Sequence, residues 1–184
     1  GSFAGKEMND FTNKPVLITG ANSGIGEALA LAFAHDGARL VLPARDQATL
    51  EAVQKKCIAL GANTRVFSAD VADEAQMQAL ADFVHGTDAA VDVLINNAGM
   101  VMAGLLHEVP QSDWERFFDV NVLSGVRLAR LYLPAMKRAN WGRVIFISSE
   151  SAVQIPAEMI HYGMTKTAQL AVSRGLADRV AGTD

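Results

Sequence analysis

Short apolar runs rich in β-branched residues alternate with longer helical patterns along this chain, and that alternation restricts the fold more than any other feature. Pro15 to Thr19, Arg39 to Leu42, Thr64 to Ser68, Val91 to Ile95 and Arg143 to Ser148 read as five strands. Between them lie an alanine-rich helix from Ile25 to His35 closed by Gly37, and a second from Gln47 to Leu60 stopped at Gly61. Asp73 to Val84 makes a third. Ser112 or Asp113 then caps a long helix reaching about Arg138, with Trp114, Phe117, Phe118, Val122 and Leu128 as its apolar stripe. Pro134 should kink or end it, and Glu158 to Val180 is the last helix. The fourth strand is wholly apolar apart from Asp92, and strands alternating with helices at this spacing call for right-handed crossovers and a parallel sheet covered on both faces. The fold class is α/β, a doubly wound parallel sheet.

Composition narrows the class of function. The chain has 184 residues, half of them apolar, which is one domain by size and enough to bury a core. A net charge of −4 with both signs interspersed leaves no nucleic-acid footprint and no polybasic membrane patch. Cys57 is the only cysteine, so an internal disulfide framework or cysteine metal site is excluded, and we expect a reducing, cytoplasmic setting. No apolar run reaches the roughly 18 residues of a membrane span. Gly1-Ser2 reads as an expression scar and Met8 as a native start, so residues 1–7 are set apart from a single domain over 8–184.

Doubly wound sheets bind ligands outside the carboxyl ends of their strands, so the strand ends matter most. The first ends in Thr19-Gly-Ala-Asn-Ser-Gly-Ile-Gly26. Gly20, Gly24 and Gly26 give a tight turn, close backbone approach to a diphosphate and close helix–strand contact, with free N–H groups at the helix start beyond. The second ends in Pro43-Ala44-Arg45-Asp46. An arginine there suits a 2′-phosphate where a carboxylate would suit a 2′-hydroxyl, which points to NADP ahead of NAD; Asp46 either opposes that phosphate or caps the next helix. Asp70, followed by Val71, can accept from an adenine amino group or cap the third helix. The fourth strand ends in Asn96-Asn-Ala-Gly99, where two amides and a glycine can bond neighbouring backbone and admit a ribose. Asn121 sits on an apolar run in the long helix, where an amide is expensive to bury unpaired. It is either a satisfied core amide or the anchor of a water near the catalytic helix.

The last helix carries Tyr162 and Lys166, four residues apart and so on one face, a turn from each other. A tyrosine is a poor acid or base near neutrality, with a pKa of about 10, and an adjacent ammonium favours its phenolate. Ser149, at the end of the fifth strand's run, offers a hydroxyl to hold a substrate oxygen. Together they make a proton-transfer device for a carbonyl or an alcohol, and such a device needs a hydride partner.

With these motifs in order, the chain resembles the short-chain dehydrogenase/reductase family from about Phe11 onward: Thr19-Gly-x-x-x-Gly-Ile-Gly26, Asp70-Val71, Asn96-Asn-Ala-Gly99, Asn121, Ser149 and Tyr162-x-x-x-Lys166. The resemblance implies a Rossmann-like NAD(P)-binding domain and a catalytic set of Asn121, Ser149, Tyr162 and Lys166, without a metal. Tyr162 would be the general acid in reduction, Lys166 would lower its pKa and bond the nicotinamide ribose, and Ser149 would hold the substrate oxygen. Asn121 would anchor a water in a relay ending at Lys166. Gly20, Asn22, Ser23, Gly24, Ile25, Gly26, Asp70, Val71, Asn97, Ala98, Gly99, Tyr162 and Lys166 would line the cofactor, with Arg45 on the 2′-phosphate. Glu150, Glu158 and His161 read as solvated or pocket-rim residues, and Met100, Val101, Met102, Val153, Ile155 and Met159 as an apolar pocket wall or plain core. A homodimer or homotetramer through the long and catalytic helices is implied too.

Family members continue past the catalytic helix with a further strand, a substrate-covering loop and a last strand, whereas this sequence stops at Gly182-Thr-Asp184. We therefore expect the intact protein to be an NADP(H)-dependent oxidoreductase acting on a small carbonyl or alcohol, and this piece to be weak or inactive. The competing expectation is a non-catalytic NADP-binding regulator or interaction protein. An epimerase or dehydratase ranks third, since those are longer and space their glycines differently.

Overall fold

The computed structural model describes residues 10–85 and 90–184. The supposed scar at 1–7 lies outside them. Five strands form one all-parallel sheet in the order β3-β2-β1-β4-β5. They are β1 (Pro15–Ile18), β2 (Arg39–Ala44), β3 (Thr64–Ser68), β4 (Val93–Asn96) and β5 (Arg143–Phe146). The helices are α1 (Gly24–His35), α2 (Gln47–Ala59), α3 (Glu74–His85), α4 (Gln111–Phe118), α5 (Ser124–Ala139) and α6 (Ile160–Arg179). The doubly wound fold expected from the alternation is the fold observed.

Strand side chains point alternately to the two faces, and the core divides accordingly. Val16 and Ile18 of β1, with Leu40, Leu42, Val93 and Ile95, pack on Ala30, Ala34, Leu50, Val53 and Cys57 of α1 and α2. Leu17, Val41 and Leu94 face the other way, onto Met77, Leu80 and Val84 of α3 and Leu128 and Tyr132 of α5. Cys57 is a fully buried small apolar filler, and burial pushes its thiol pKa up. Among the described residues no helix is long and apolar enough to cross a membrane, and no group of three potential metal ligands gathers.

Several local outcomes differ from the sequence expectation. Strand β2 continues through Pro43 to Ala44 and so delivers Arg45 to the sheet's edge of chemistry. Pro43 lies beyond Val41, the last β2 residue paired with β1, where the two strands part; it offers no N–H to β1, but its carbonyl still accepts from Gly20 N at 3.3 Å. The long helix starts at Gln111 after Pro110 rather than at a Ser112 or Asp113 cap. It is not broken at Pro134, which lies inside α5 with Arg130 on the solvent side, where the carbonyl losing its partner can be hydrated. The helix ends instead at Asn140, in the left-handed conformation with φ 51°. The interruption falls at Asp119–Leu123, a π-helical turn between α4 and α5 centred on Asn121. Helix α6 begins at Ile160, after a separate 3₁₀ turn at Ala157–Met159.

At the carboxyl ends of β1 and β4 the two strands are tied through the side chains of Thr19 and Asn97. Thr19 Oγ1 accepts from Asn97 N at 3.0 Å and from Ala98 N at 2.9 Å. Asn97 returns the tie, its Nδ2 donating to Thr19 O at 3.2 Å and Gly20 O at 3.1 Å. The glycine turn and the end of β4 are thereby one rigid piece.

Candidate active site

The glycine turn is built as its sequence requires. Gly20 has φ 63°, and a Cβ there would sit 3.0 Å from Ala98 Cα. Gly26 has no unusual φ, yet a Cβ on it would lie 2.3 Å from Gly20 O and 2.5 Å from Asn97 Nδ2. The third glycine thus keeps α1 against the turn rather than bending it. Ser23 is the N-cap of α1 without a side-chain cap bond, leaving the first helical N–H groups open to an anion. Asn22 is turned away to donate to Thr49 Oγ1 at 3.1 Å, which fixes the loop to α2.

Beside this turn lies a cavity of about 490 Å³ bounded by Gly20, Asn22, Arg45, Asp70, Val71, Ala98 and Gly99, all sequence candidates. Ala44, Asp46, Ala69, Met100, Arg116 and Val120 complete it. The backbone cradle that a Cβ would fill, the open helix N-terminus and a guanidinium at the second strand end fit a dinucleotide phosphate. Ser23, Gly24, Ile25, Gly26 and Asn97 do not line the cavity: Ile25 is 60% exposed, while Gly26 and Asn97 shape it from behind. Asp46 caps α2, accepting from Thr49 N at 3.0 Å, and that bond holds its carboxyl below the usual range. Asp70 does not cap α3; Asp73 does, through Gln76 N at 2.9 Å. Asp70 instead accepts from Ala72 N at 2.9 Å and pairs with Arg116 Nη2 at 3.0 Å. Partial burial raises its pKa, but the Ala72 bond, Arg116 and the field of Arg45 outweigh burial and hold it below the ordinary value.

On the other side of Gly99 stands the Tyr–Lys helix. Lys166 is 6% exposed; its Nζ donates to Ile147 O at 3.0 Å and lies 5.6 Å from the centroid of the Tyr162 ring. Burial lowers its pKa. The half-buried Tyr162 makes no side-chain hydrogen bond among the described residues. Ser149 Oγ accepts from Ser151 N at 3.2 Å and starts a 3₁₀ turn at Glu150–Ala152, leaving its own proton to donate. Thr167 Oγ1 bonds Ala152 O at 2.7 Å, locking that turn onto α6. Gly163 permits the contact, since a Cβ there would meet Ile155 Cγ2 at 2.6 Å and Ser151 O at 3.0 Å.

Asn121 joins the two sides. Its Oδ1 accepts from Met100 N at 2.7 Å, and its Nδ2 donates to Met100 O at 3.1 Å and to Thr165 Oγ1 at 3.0 Å. Both amide protons therefore go to protein, as in the core-amide alternative, and the π turn is what aims them. His161 corrects a sequence expectation: it is not on the pocket rim but buried in the α4–α6 contact, with ring centroids 4.5 Å from Phe117 and 5.8 Å from Trp114. An imidazole between two aromatic rings packs as a ring, which its position beside Tyr162 in the sequence did not reveal. Glu150 and Glu158 are exposed as expected. Val101, Met102, Val153 and Ile155 are exposed rather than core, on two segments joined by Gly104 N donating to Glu158 O at 2.8 Å.

Sequence reasoning missed Thr19, Arg116 and Thr165. Thr19 heads the glycine motif, and Thr165 lies between Tyr162 and Lys166, so both were within reach of a motif search; Arg116 had no local signal. Replacing Asn121 by alanine would strand both backbone polar groups of the partly buried Met100 and remove a donor from the buried Thr165 hydroxyl. We expect a loss of at least ~2 kcal/mol in urea unfolding; a loss under about 0.5 kcal/mol would show that the clamp is not structural.

The family model described as short chain dehydrogenase matches residues 14–184. The uncharacterized oxidoreductase YvaG of Bacillus subtilis (strain 168) is 38% identical over 173 residues, covering 93% of this chain but only 64% of YvaG. A crystal structure of a metagenomic short-chain oxidoreductase in complex with NADP superposes with a TM-score of 0.90 at 31% identity, over 93% of this chain and 78% of that one. One from Burkholderia phymatum in complex with NAD gives 0.90 at 34% identity, over 96% and 64%. The chain thus spans about two thirds of the length of the relatives it matches. It belongs to the short chain dehydrogenase family.

Proposed function

We propose that this chain carries the nucleotide site and the proton-transfer groups of an NADP(H)-dependent oxidoreductase that interconverts a carbonyl and an alcohol. The observation that carries the proposal is Lys166, held by Ile147 O with its ammonium 5.6 Å from the Tyr162 ring centre, at the same strand ends as the glycine turn. Gly20 and the N-terminus of α1 hold the diphosphate, Asp70 and Val71 the adenine, and Ala98 and Gly99 the ribose nearer the reaction. Arg45 takes the 2′-phosphate, which favours NADP over NAD. When bound, the nicotinamide supplies or accepts a hydride.

The chain's own groups handle the proton. Ser149 Oγ–H donates to the substrate oxygen and fixes its distance from Tyr162. Tyr162 gives its hydroxyl proton to that oxygen as negative charge develops there during reduction, and takes it back in oxidation. Lys166 favours the phenolate left behind, because an ammonium anchored in a poorly hydrated site is only weakly screened. Its anchor to Ile147 O keeps it on that side of Tyr162. Asn121 is a positioning residue in this account, since its side-chain protons bond Met100 and Thr165. Thr165 in turn donates to Tyr162 O at 2.6 Å. The exposed apolar Val101, Met102, Val153 and Ile155 suit a substrate with a non-polar body.

NADPH absorbance followed with a panel of ketones and 3-oxoacyl thioesters tests the activity on the full-length protein. Tyr162→Phe should lower kcat by roughly a hundredfold or more while leaving cofactor affinity nearly unchanged. Unaltered biological activity in that variant would favour a non-catalytic role. Arg45→Ala should weaken NADP binding by about tenfold and NAD binding much less; equal affinities for the two in the unaltered protein would refute the cofactor choice.

A further inference from the structure

Four ionisable side chains line the cavity beside the glycine turn among the described residues: Arg45, Asp46, Asp70 and Arg116. Both carboxylates are held in their charged form, Asp46 by the backbone of α2 and Asp70 chiefly by the Ala72 N–H against the opposing effect of burial. Two guanidiniums therefore balance two carboxylates. Without Arg116, Arg45 alone would face two negative groups, and a 2′-phosphate would enter a cavity already net negative.

Arg116 reaches this place from α4, whereas the other three belong to the ends of β2 and β3 and the loops that follow them. Its Nη2 lies 3.0 Å from Asp70 Oδ2, and both side chains keep part of their surface in solvent. The other oxygen of Asp70 accepts from Ala72 N, which holds the carboxylate at the cavity, while Asp70 N donates to Gln76 Oε1 at 2.7 Å and fixes the backbone beneath it. A fixed negative charge next to an anion site has to be neutralised by a second residue, and Arg116 is the group placed to do it.

We propose that Arg116 is a specificity-determining residue for the 2′-phosphate, acting through Asp70: it cancels the carboxylate's charge so that Arg45 can select NADP. This rests on the NADP reading above and extends it to a residue on a different element. It predicts that cofactor choice depends on the charge of Asp70 as well as on Arg45, and that Arg116 matters for the ratio of affinities more than for either cofactor's binding to the rest of the cavity.

The test is isothermal titration of the purified protein with NADP and with NAD, comparing the ratio of the two Kd values. Arg116→Gln should cut the preference for NADP by about tenfold, and Arg116→Lys should keep it within about threefold, because the charge is what counts. Adding Asp70→Asn to Arg116→Gln should restore the preference, since asparagine retains an oxygen for Ala72 N but removes the charge. A structural role alone would weaken both cofactors together and would not be rescued by a second change that leaves the ion pair broken. An unchanged ratio in Arg116→Gln, or a lost preference that Asp70→Asn does not restore, would overturn the proposal. If Arg116→Gln does not fold, Asp70→Asn alone decides: it should raise the preference for NADP, and an unchanged or lower preference overturns the proposal. Equal affinities in the unaltered protein would overturn the NADP reading itself, while a clear wild-type preference that survives Arg116→Gln overturns only the part assigned to Arg116.

Discussion

The site depends on a single buried hydroxyl. Strands β1 and β4 run side by side to Ile18 and Ile95 and then must part, one into the glycine turn and the other toward the Tyr–Lys helix. Parting strands leave backbone N–H groups without a ladder partner, and in a buried setting each unpaired group costs about 1–3 kcal/mol. Thr19 Oγ1 takes two of them, Asn97 N and Ala98 N, and Asn97 Nδ2 closes the ring onto Thr19 O and Gly20 O. With that lattice the glycine turn and the loop after β4 have one fixed separation. Without it they would be two loops.

A second joint lies one layer out. The π turn at Asp119–Leu123 is less favourable than a regular helix, but it points Asn121 at Met100 and Thr165, so the loop after β4 and the helix bearing Tyr162 share one amide. Lys166, tied to Ile147 O, adds the end of β5 to the same assembly. The chain's expensive features, a helix defect, a buried amide and a buried ammonium, all converge around Gly99. Such a concentration marks a candidate functional site, because strain and desolvation elsewhere would only lower stability.

Much of this was legible in the sequence, and for a physical reason. Strand and helix periods are local, so the sheet and its helices follow from runs of Val, Leu, Ile and Ala a few residues long, and the glycine turn from backbone demands within Thr19 to Gly26. What stayed hidden are bonds between residues far apart in the chain. The Thr19–Asn97 ties span 78 positions and the Asn121–Thr165 bond 44. Pairing of Asp70 with Arg116 leaves no periodic trace, and nothing near His161 announces that two aromatic rings from α4 enclose it. Pro134 misled because its effect depends on which side of the helix faces water, and the π turn because its cause is the distant partner of Asn121 rather than any local breaker.

We propose that one nucleotide cradle and one proton device meet across Gly99. A crystal structure of the protein with NADP tests this most directly. The predicted result is the 2′-phosphate within hydrogen-bonding reach of Arg45, the diphosphate at the start of α1, and the nicotinamide ribose beside Tyr162 and Lys166. A cofactor bound with its adenosine away from Arg45 and Asp70, or with its nicotinamide out of reach of Tyr162, would contradict it.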